Sequence, residues 1–110
     1  MKELFLRSLF RCIKKIESIE NLENNKSLYY AVLELCLSFK MIQIFDPSLN
    51  ETIMDQTKID IEKIYDNSLD SEESLYKPDV QILIENIGQL KDFFFKYDEN
   101  LKLGFPYYYS

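Results

Sequence analysis

Carboxylates are the side chains of this sequence whose spacing could do chemistry. The candidates lie between residues 51 and 73 and are Glu51, Asp55, Glu62, Asp66, Asp70, Glu72 and Glu73 among the eight Asp or Glu of that stretch. The first four are spaced by four, seven and four residues, so on one continuous helix they would form a single acidic ridge. A ridge of this kind suits binding to a basic protein surface. Catalysis by carboxylates alone would need a cleft that separates their environments, which a contiguous ridge does not supply.

Other chemistry is restricted by composition. The chain has no His, which excludes Ser-His, Cys-His and His-ligated metal sites. Cys12 and Cys36 fall in apolar helical patterns and are interpreted as buried thiols of a reduced cytoplasmic protein. Residues 66–77 resemble a calcium loop in their alternating oxygen ligands, but Ser71 replaces the required Gly and Lys77 the required Glu. We therefore expect a protein that is not an enzyme and that uses no metal or cofactor.

The elements that must position the acidic stretch are predicted to be helices. The chain has 110 residues, of which 46% are hydrophobic, and only two are Gly. β-branched residues do not alternate with polar ones, which disfavours a sheet. We predict an all-α, single-domain four-helix bundle with an acidic third helix and loop and an aromatic C-terminal tail. The predicted helices span about residues 2–22, 28–45, 49–66 and 79–98, and the tail spans residues 99–110.

Local signals mark the ends of these helices. Ser27 is a candidate cap for the second helix, and Pro47 ends that helix. Ser48 and Glu51 have the spacing of a capping box at the start of the third, and Pro78 fits the first turn of the fourth. The second helix is apolar on most sides, but it carries two charges and is short for the roughly 20 residues of a membrane span. It is predicted to be the central core helix.

Charge is distributed unevenly along the chain. Residues 1–45 carry seven Lys or Arg against five Asp or Glu, a net +2, whereas residues 46–110 carry six against fourteen, a net −8. The acidic stretch is either a solvated face or a surface for a basic partner. Ile59, predicted to be exposed beside the ridge, and Tyr65 and Tyr76, which bracket the loop, are candidate contacts. Nucleic acid would be repelled by this face.

The tail is the other candidate for a binding surface. Its aromatic residues are Phe105, Tyr107, Tyr108 and Tyr109. It either folds back over the first and fourth helices, with Phe93 and Phe95 as acceptors, or forms a surface for self-association.

The leading hypothesis is a small immunity- or antitoxin-type inhibitor that neutralises a basic partner enzyme, such as a nuclease toxin, by direct contact. The abundance of Lys, Asn, Ile and Tyr suggests an AT-rich coding sequence, as in low-GC bacteria. The alternative is a structural or regulatory module that forms a homodimer through its tail. Attachment to a membrane surface through the first helix is disfavoured, because the bundle needs the apolar face of that helix.

Overall fold

Six α-helices and one 3-10 helix make up the part of the chain that the structure, a computed structural model, describes, which is residues 1–19 and 25–98. The α-helices are α1 (Lys2–Ser18), α2 (Asn25–Phe45), α3 (Leu49–Thr57), α4 (Ile61–Ser68), α5 (Pro78–Glu85) and α6 (Ile87–Tyr97), and the 3-10 helix spans Glu72–Tyr76. No strand occurs in these residues. The predicted all-α class is confirmed, with six helices where four were expected.

An antiparallel hairpin of α1 and α2 forms the centre of the core. The apolar face of α1, which the bundle was predicted to need, is buried, and its Leu6 and Leu9 have no exposed surface. Leu35 and Phe39 of α2 are equally buried and pack in the same core. Ser38 on α2 donates a hydrogen bond to the Ser8 hydroxyl on α1 at 2.9 Å, which fixes the register of the two helices.

Helix α6 runs antiparallel to α1 along the other side of this hairpin. The rings of Phe95 and Phe10 lie with their centroids 5.0 Å apart. Lys91 Nζ donates to Glu17 Oε2 at 2.8 Å near the opposite end of α1. These two contacts set the direction of α6, so its last residues lie beside the start of α1.

Tyr97 joins three segments where α6 ends. Its hydroxyl donates to Asp46 Oδ2, just beyond α2, at 3.2 Å. The ammonium of Lys2, at the start of α1, lies 5.3 Å from the centroid of the Tyr97 ring. The chain therefore passes from Asp98 into residues 99–110 at the end of the hairpin where α1 begins and α2 finishes.

The predicted third helix, residues 49–66, is divided in the structure. Lys58 takes a left-handed conformation with φ 60° and ψ 19°, and its N–H donates to Met54 O at 2.9 Å, which ends α3. Asp60 then caps α4 by accepting the Lys63 N–H at 3.3 Å. The acidic residues on either side of this junction consequently belong to two helices.

Burial of two isoleucines explains the division. Ile59 and Ile61 both have 0% of their surface exposed. On a continuous helix, side chains two residues apart point about 200° away from each other, so both could not enter one core. The left-handed residue turns the chain so that both do.

Helix starts also differ from the sequence predictions. The capping box at Ser48 is wrong, because its hydroxyl donates to Asp46 Oδ1 at 2.9 Å and no side chain caps α3. Ser27 lies inside α2, which begins at Asn25. Pro78 occupies the first turn of α5 as predicted.

The outer predicted helices end differently as well. The predicted fourth helix, residues 79–98, is interrupted at Asn86, whose φ of −112° and ψ of 21° separate α5 from α6. The first helix was predicted to reach residue 22 but ends at Ser18, and residues 20–24 lie outside the described part. The predicted tail, residues 99–110, also lies outside it.

Candidate functional site

The acidic residues do not form the single ridge predicted from their spacing. Glu51 and Asp55 are exposed on α3, on one side of the Lys58 junction. The others lie beyond the junction, and those exposed in residues 66–73 are Asp66, Asp70, Glu72 and Glu73. This second group follows the end of α4 into the 3-10 helix. We call it the acidic turn and define it as residues 66–76.

Glu62 and Tyr65 have structural contacts instead of a free outward face. Both carboxylate oxygens of Glu62 accept from Lys40 Nζ of α2 at 3.1 Å. The same ammonium lies 4.5 Å from the centroid of the Tyr65 ring, a cation–π distance. Both side chains are half-buried, and the three residues together attach α4 to α2. Glu62 and Tyr65 therefore differ from the exposed acidic residues of the predicted site, because both are half-buried against Lys40.

The prediction that Ile59 is exposed is wrong, since it is completely buried in the core. Two other apolar side chains are exposed in the acidic turn. Leu69 has 56% of its surface exposed and Tyr76 has 58%. Leu69 was not singled out from the sequence, although it follows the inward positions Ile64 and Ser68 and lies off their stripe. The one available signal was an isolated leucine among the polar residues 66–73, beyond the predicted end of the third helix.

Packing holds the acidic turn in place. Leu75 of the 3-10 helix is buried in the core, and its carbonyl accepts a hydrogen bond from the Gln81 side chain of α5. Asn67 Nδ2 donates to Asp79 Oδ2 at 3.2 Å. The hydroxyl of Ser71 caps the 3-10 helix by accepting a backbone N–H at 3.2 Å. The exposed side chains of the turn are therefore displayed on a segment that is fixed against α5.

One ion pair lies within the acidic turn and its flank. Lys77 Nζ lies 3.4 Å from Asp70 Oδ2, with both side chains about half exposed or more. A pair this exposed adds little to stability, roughly 0 to 1 kcal/mol, so a partner could replace it at small cost.

Both cysteines are buried thiols, as predicted. Neither Cys12 nor Cys36 has any exposed surface, and no disulfide joins them. Burial raises the pKa of each thiol to about 12. At neutral pH both therefore stay protonated, which suits core packing and opposes nucleophilic reactivity.

An apolar groove between α1 and α2 is the second surface of interest. We define the apolar groove by Met1, Leu4, Leu37 and Met41, whose side chains are 75%, 55%, 45% and 38% exposed. Ser8, Ser38 and Glu34 lie on its floor and edge. Helix α2 is thus central on one side, as predicted, and uncovered on the other.

No protein-family model matches the chain, and no match was found among curated proteins or solved structures. By length and composition alone, Lys26–Phe45 of α2 could cross a membrane, but a core helix of a soluble protein can have the same length and composition, and 44% of the apolar 18-residue stretch in this helix is buried. Within residues 1–19 and 25–98, no group of three or more metal-ligating side chains is arranged to hold an ion.

Proposed function

We propose that this chain is a small, acidic, non-catalytic binding protein of the immunity or antitoxin type, which neutralises a basic partner enzyme in the cytoplasm by direct contact. A nuclease toxin is the kind of partner that the charge fits. The observation that carries this proposal is the exposure of Leu69 and Tyr76 among the carboxylates of the acidic turn. Apolar and aromatic anchors surrounded by charged groups are typical of the centres of protein interfaces.

The two kinds of side chain have separate tasks in this proposal. The carboxylates Asp66, Glu72 and Glu73 attract a basic surface over distances up to about 10 Å, which raises the association rate. Leu69 and Tyr76 then lose their water on contact and slow dissociation. Glu51 and Asp55, on α3, add to the long-range field without belonging to the contact surface.

The test is a pulldown of the tagged protein from a lysate of its source organism, followed by mass spectrometry and an assay of the captured enzyme. Three proteins are compared: the native chain, a variant with Asp66→Lys and Glu73→Lys, and a control with Glu51→Lys and Asp55→Lys. Both variants change the net charge from −6 to −2, so they differ only in where the charge is reversed.

We expect the native chain and the α3 control to retain a basic enzyme and to inhibit it at equal molar amounts. The affinity of the acidic-turn variant for that enzyme should be lower by tenfold or more. Equal weakening by both variants would mean that only overall charge acts, and undiminished capture by the acidic-turn variant would reject the surface.

Glu62 is left unchanged in these variants for a structural reason. A lysine at that position would face Lys40, break the ion pair at 3.1 Å and loosen α4 from α2. Loss of binding would then have two explanations. The apolar contact is tested instead with Leu69→Ala, for which we expect a loss of about 1 to 2 kcal/mol in binding and no change in melting temperature, since Leu69 is exposed.

The alternative function, a module that self-associates as a homodimer through its aromatic tail, is favoured by a different observation. The apolar groove is a surface that aromatic side chains could cover. A concentration-dependent mass that disappears on replacing Tyr107, Tyr108 and Tyr109 would support it.

A further inference from the structure

Helix α2 carries two apolar stripes on different sides. The first is buried in the core, repeats every seven residues and consists of Leu28, Leu35 and Ile42. The second has the same repeat but is exposed, and it consists of Tyr30, Leu37 and Ile44. A helix that is apolar on several sides usually has neighbours on each of them. Within residues 1–19 and 25–98 no element packs over the second stripe, so a neighbour of α2 is missing there.

The exposed positions have the spacing of a helix–helix interface. Met41 lies four residues after Leu37 and three before Ile44, which is the alternation of a coiled-coil seam. The α1 side of the apolar groove continues the pattern through Met1, Leu4 and Ser8, spaced by three and four residues. We define the hairpin face as the apolar groove together with Tyr30, Ile44 and Phe45. Two adjacent helices with such a face can be covered by two further helices, as in a four-helix bundle.

From this spacing, we infer that the hairpin face is the interface at which two copies of this chain associate. A two-fold axis brings the same residues of both copies together, so the face needs to be complementary only to itself. The α1–α2 hairpins of the two copies then form one four-helix bundle. The hairpin face shares no residue with the acidic turn, so this inference does not depend on the proposed partner.

The exposed area of the hairpin face is close to what a stable dimer needs. Ile44 is 67% exposed, Tyr30 55% and Phe45 51%, in addition to the four residues that define the groove. With about 150 to 200 Å² for a fully exposed residue of this size, the face exposes roughly 600 to 800 Å². Stable protein interfaces bury about 800 Å² on each partner. The face and its immediate edge therefore reach the area of a stable interface.

The charge at the apolar groove also favours a second copy. Glu34 is the one charged residue that lines the groove, and it lies 3.7 Å from the Arg11 guanidinium and accepts a hydrogen bond from Ser8 at 3.4 Å. Because this carboxylate is compensated within the chain, the groove does not select a basic or an acidic partner. A neutral apolar surface is required, and the same face of another copy is one. The net charge of −6 opposes an anionic membrane surface.

Sedimentation equilibrium of the full chain tests the inference. At high concentration we expect twice the 13.2 kDa mass of one chain, and dissociation on dilution. Added salt should tighten the dimer, because it screens the repulsion between two chains of net charge −6. Binding of a basic enzyme to the acidic turn should instead weaken with salt. The opposite salt dependence allows this inference and the proposed function to fail separately.

Paired substitutions locate the contact. Leu37→Glu with Met41→Glu places two carboxylates in the hairpin face and should raise the dissociation constant of the dimer by about a hundredfold or more. The control, Leu69→Glu with Met54→Glu, makes the same two residue changes at exposed positions outside the face. Both variants gain two negative charges, from −6 to −8, and the control should remain a dimer. Circular dichroism should show both to be helical, since all four side chains are exposed.

Two milder variants keep the test independent of folding. Leu37→Ala removes apolar surface without adding charge and retains a good helix former, so it should raise the dissociation constant about tenfold. Replacement of Tyr107, Tyr108 and Tyr109 by Ser should leave the dissociation constant unchanged, because these residues are not part of the hairpin face.

Four outcomes would overturn the inference. A native chain that stays monomeric at every concentration has no such interface, and equal weakening of the dimer by the two glutamate variants would show that added charge acts rather than the face. Loss of the dimer in the tyrosine variant would assign self-association to the tail. A monomer that binds anionic phospholipid vesicles, and loses this binding with Leu37→Ala, would assign the face to a membrane surface.

Discussion

Tyr97 is an acid held neutral by its surroundings. Burial raises the pKa of its phenol to about 12, and the neighbouring Asp46 carboxylate adds to the effect by charge and by accepting its hydrogen bond. In return, hydrogen bonds from Ser48 and then Tyr97 lower the pKa of Asp46. The two groups form a link between α6 and the end of α2 that requires a protonated tyrosine.

The link should weaken at alkaline pH. In the unfolded chain a tyrosine ionises near its ordinary pKa of 10, so between pH 10 and about 12 the folded state holds a proton that the unfolded state has lost. The free energy of unfolding must then fall as pH rises. At pH 7 we expect the free energy of unfolding of Tyr97→Phe to be about 1 kcal/mol below that of the native chain. By pH 12 the two values should be nearly equal, because the native chain has then lost the contribution of the link.

Urea unfolding followed by circular dichroism from pH 7 to pH 12 measures this difference. Tyr30→Phe is the control, because Tyr30 is 55% exposed, and its difference from the native chain should be small throughout. The buried thiols also lose their protons in the alkaline range, but they are common to all three proteins and cancel. If the difference in free energy of unfolding between Tyr97→Phe and the native chain stays constant with pH, the proposed link is contradicted.

Among the elements, the junction between α3 and α4 is the one that decides the shape of the acidic surface. A left-handed conformation costs a residue with a side chain about 1 to 2 kcal/mol, and glycine escapes most of that cost. Lys58→Gly should therefore keep or raise the free energy of unfolding, by about 0 to 1 kcal/mol. Lys63→Gly, inside α4, should lower it by about 1 kcal/mol.

The same denaturation experiment distinguishes the two helices from the single helix that the sequence predicts. On a continuous helix over residues 49–66, both glycine substitutions would destabilise by similar amounts. Opposite changes in the free energy of unfolding for Lys58→Gly and Lys63→Gly would support the junction, whereas equal losses would indicate a continuous helix.

The junction could not be read from local sequence signals. Residues 49–66 contain no Gly or Pro, and their apolar residues recur at helical spacing. The break comes from tertiary packing, which buries Ile59 and Ile61 together and overrides helix propensity. By contrast, the core stripe of α1 and the buried cysteines were predicted correctly, because they depend on spacing within one unbroken helix.

At the scale of the whole molecule, the acidic surface was predictable in part. Charged side chains favour water, so the exposure of Asp66, Glu72 and Glu73 followed from residue type. Which carboxylates share a surface depends on how separate helices pack. A long-range ion pair such as Lys40 with Glu62 cannot be recognised from the spacing of residues in the sequence. The exposure of Leu69 has the same origin, since it depends on where α4 ends.

The unequal lengths of the helices have a consequence for how the chain reaches this fold. Helices α1 and α2 have 17 and 21 residues, whereas α3, α4 and α5 have 9, 8 and 8. Isolated helices shorter than about 12 to 15 residues are marginal in water, so the short ones need a surface to form on. The hairpin of the two long helices, which are adjacent in sequence, is the natural first structure.

The kinetics of refolding should show this order. Leu35→Ala, in the buried face of the hairpin, should mainly slow folding, whereas Leu83→Ala, equally buried in α5, should mainly speed unfolding. Stopped-flow measurements in urea give both rates, and similar effects of the two variants on the folding rate would indicate that the short helices form together with the hairpin. If only Leu35→Ala slows folding, the acidic turn is among the last parts of the molecule to become ordered, although it is central to the proposed binding.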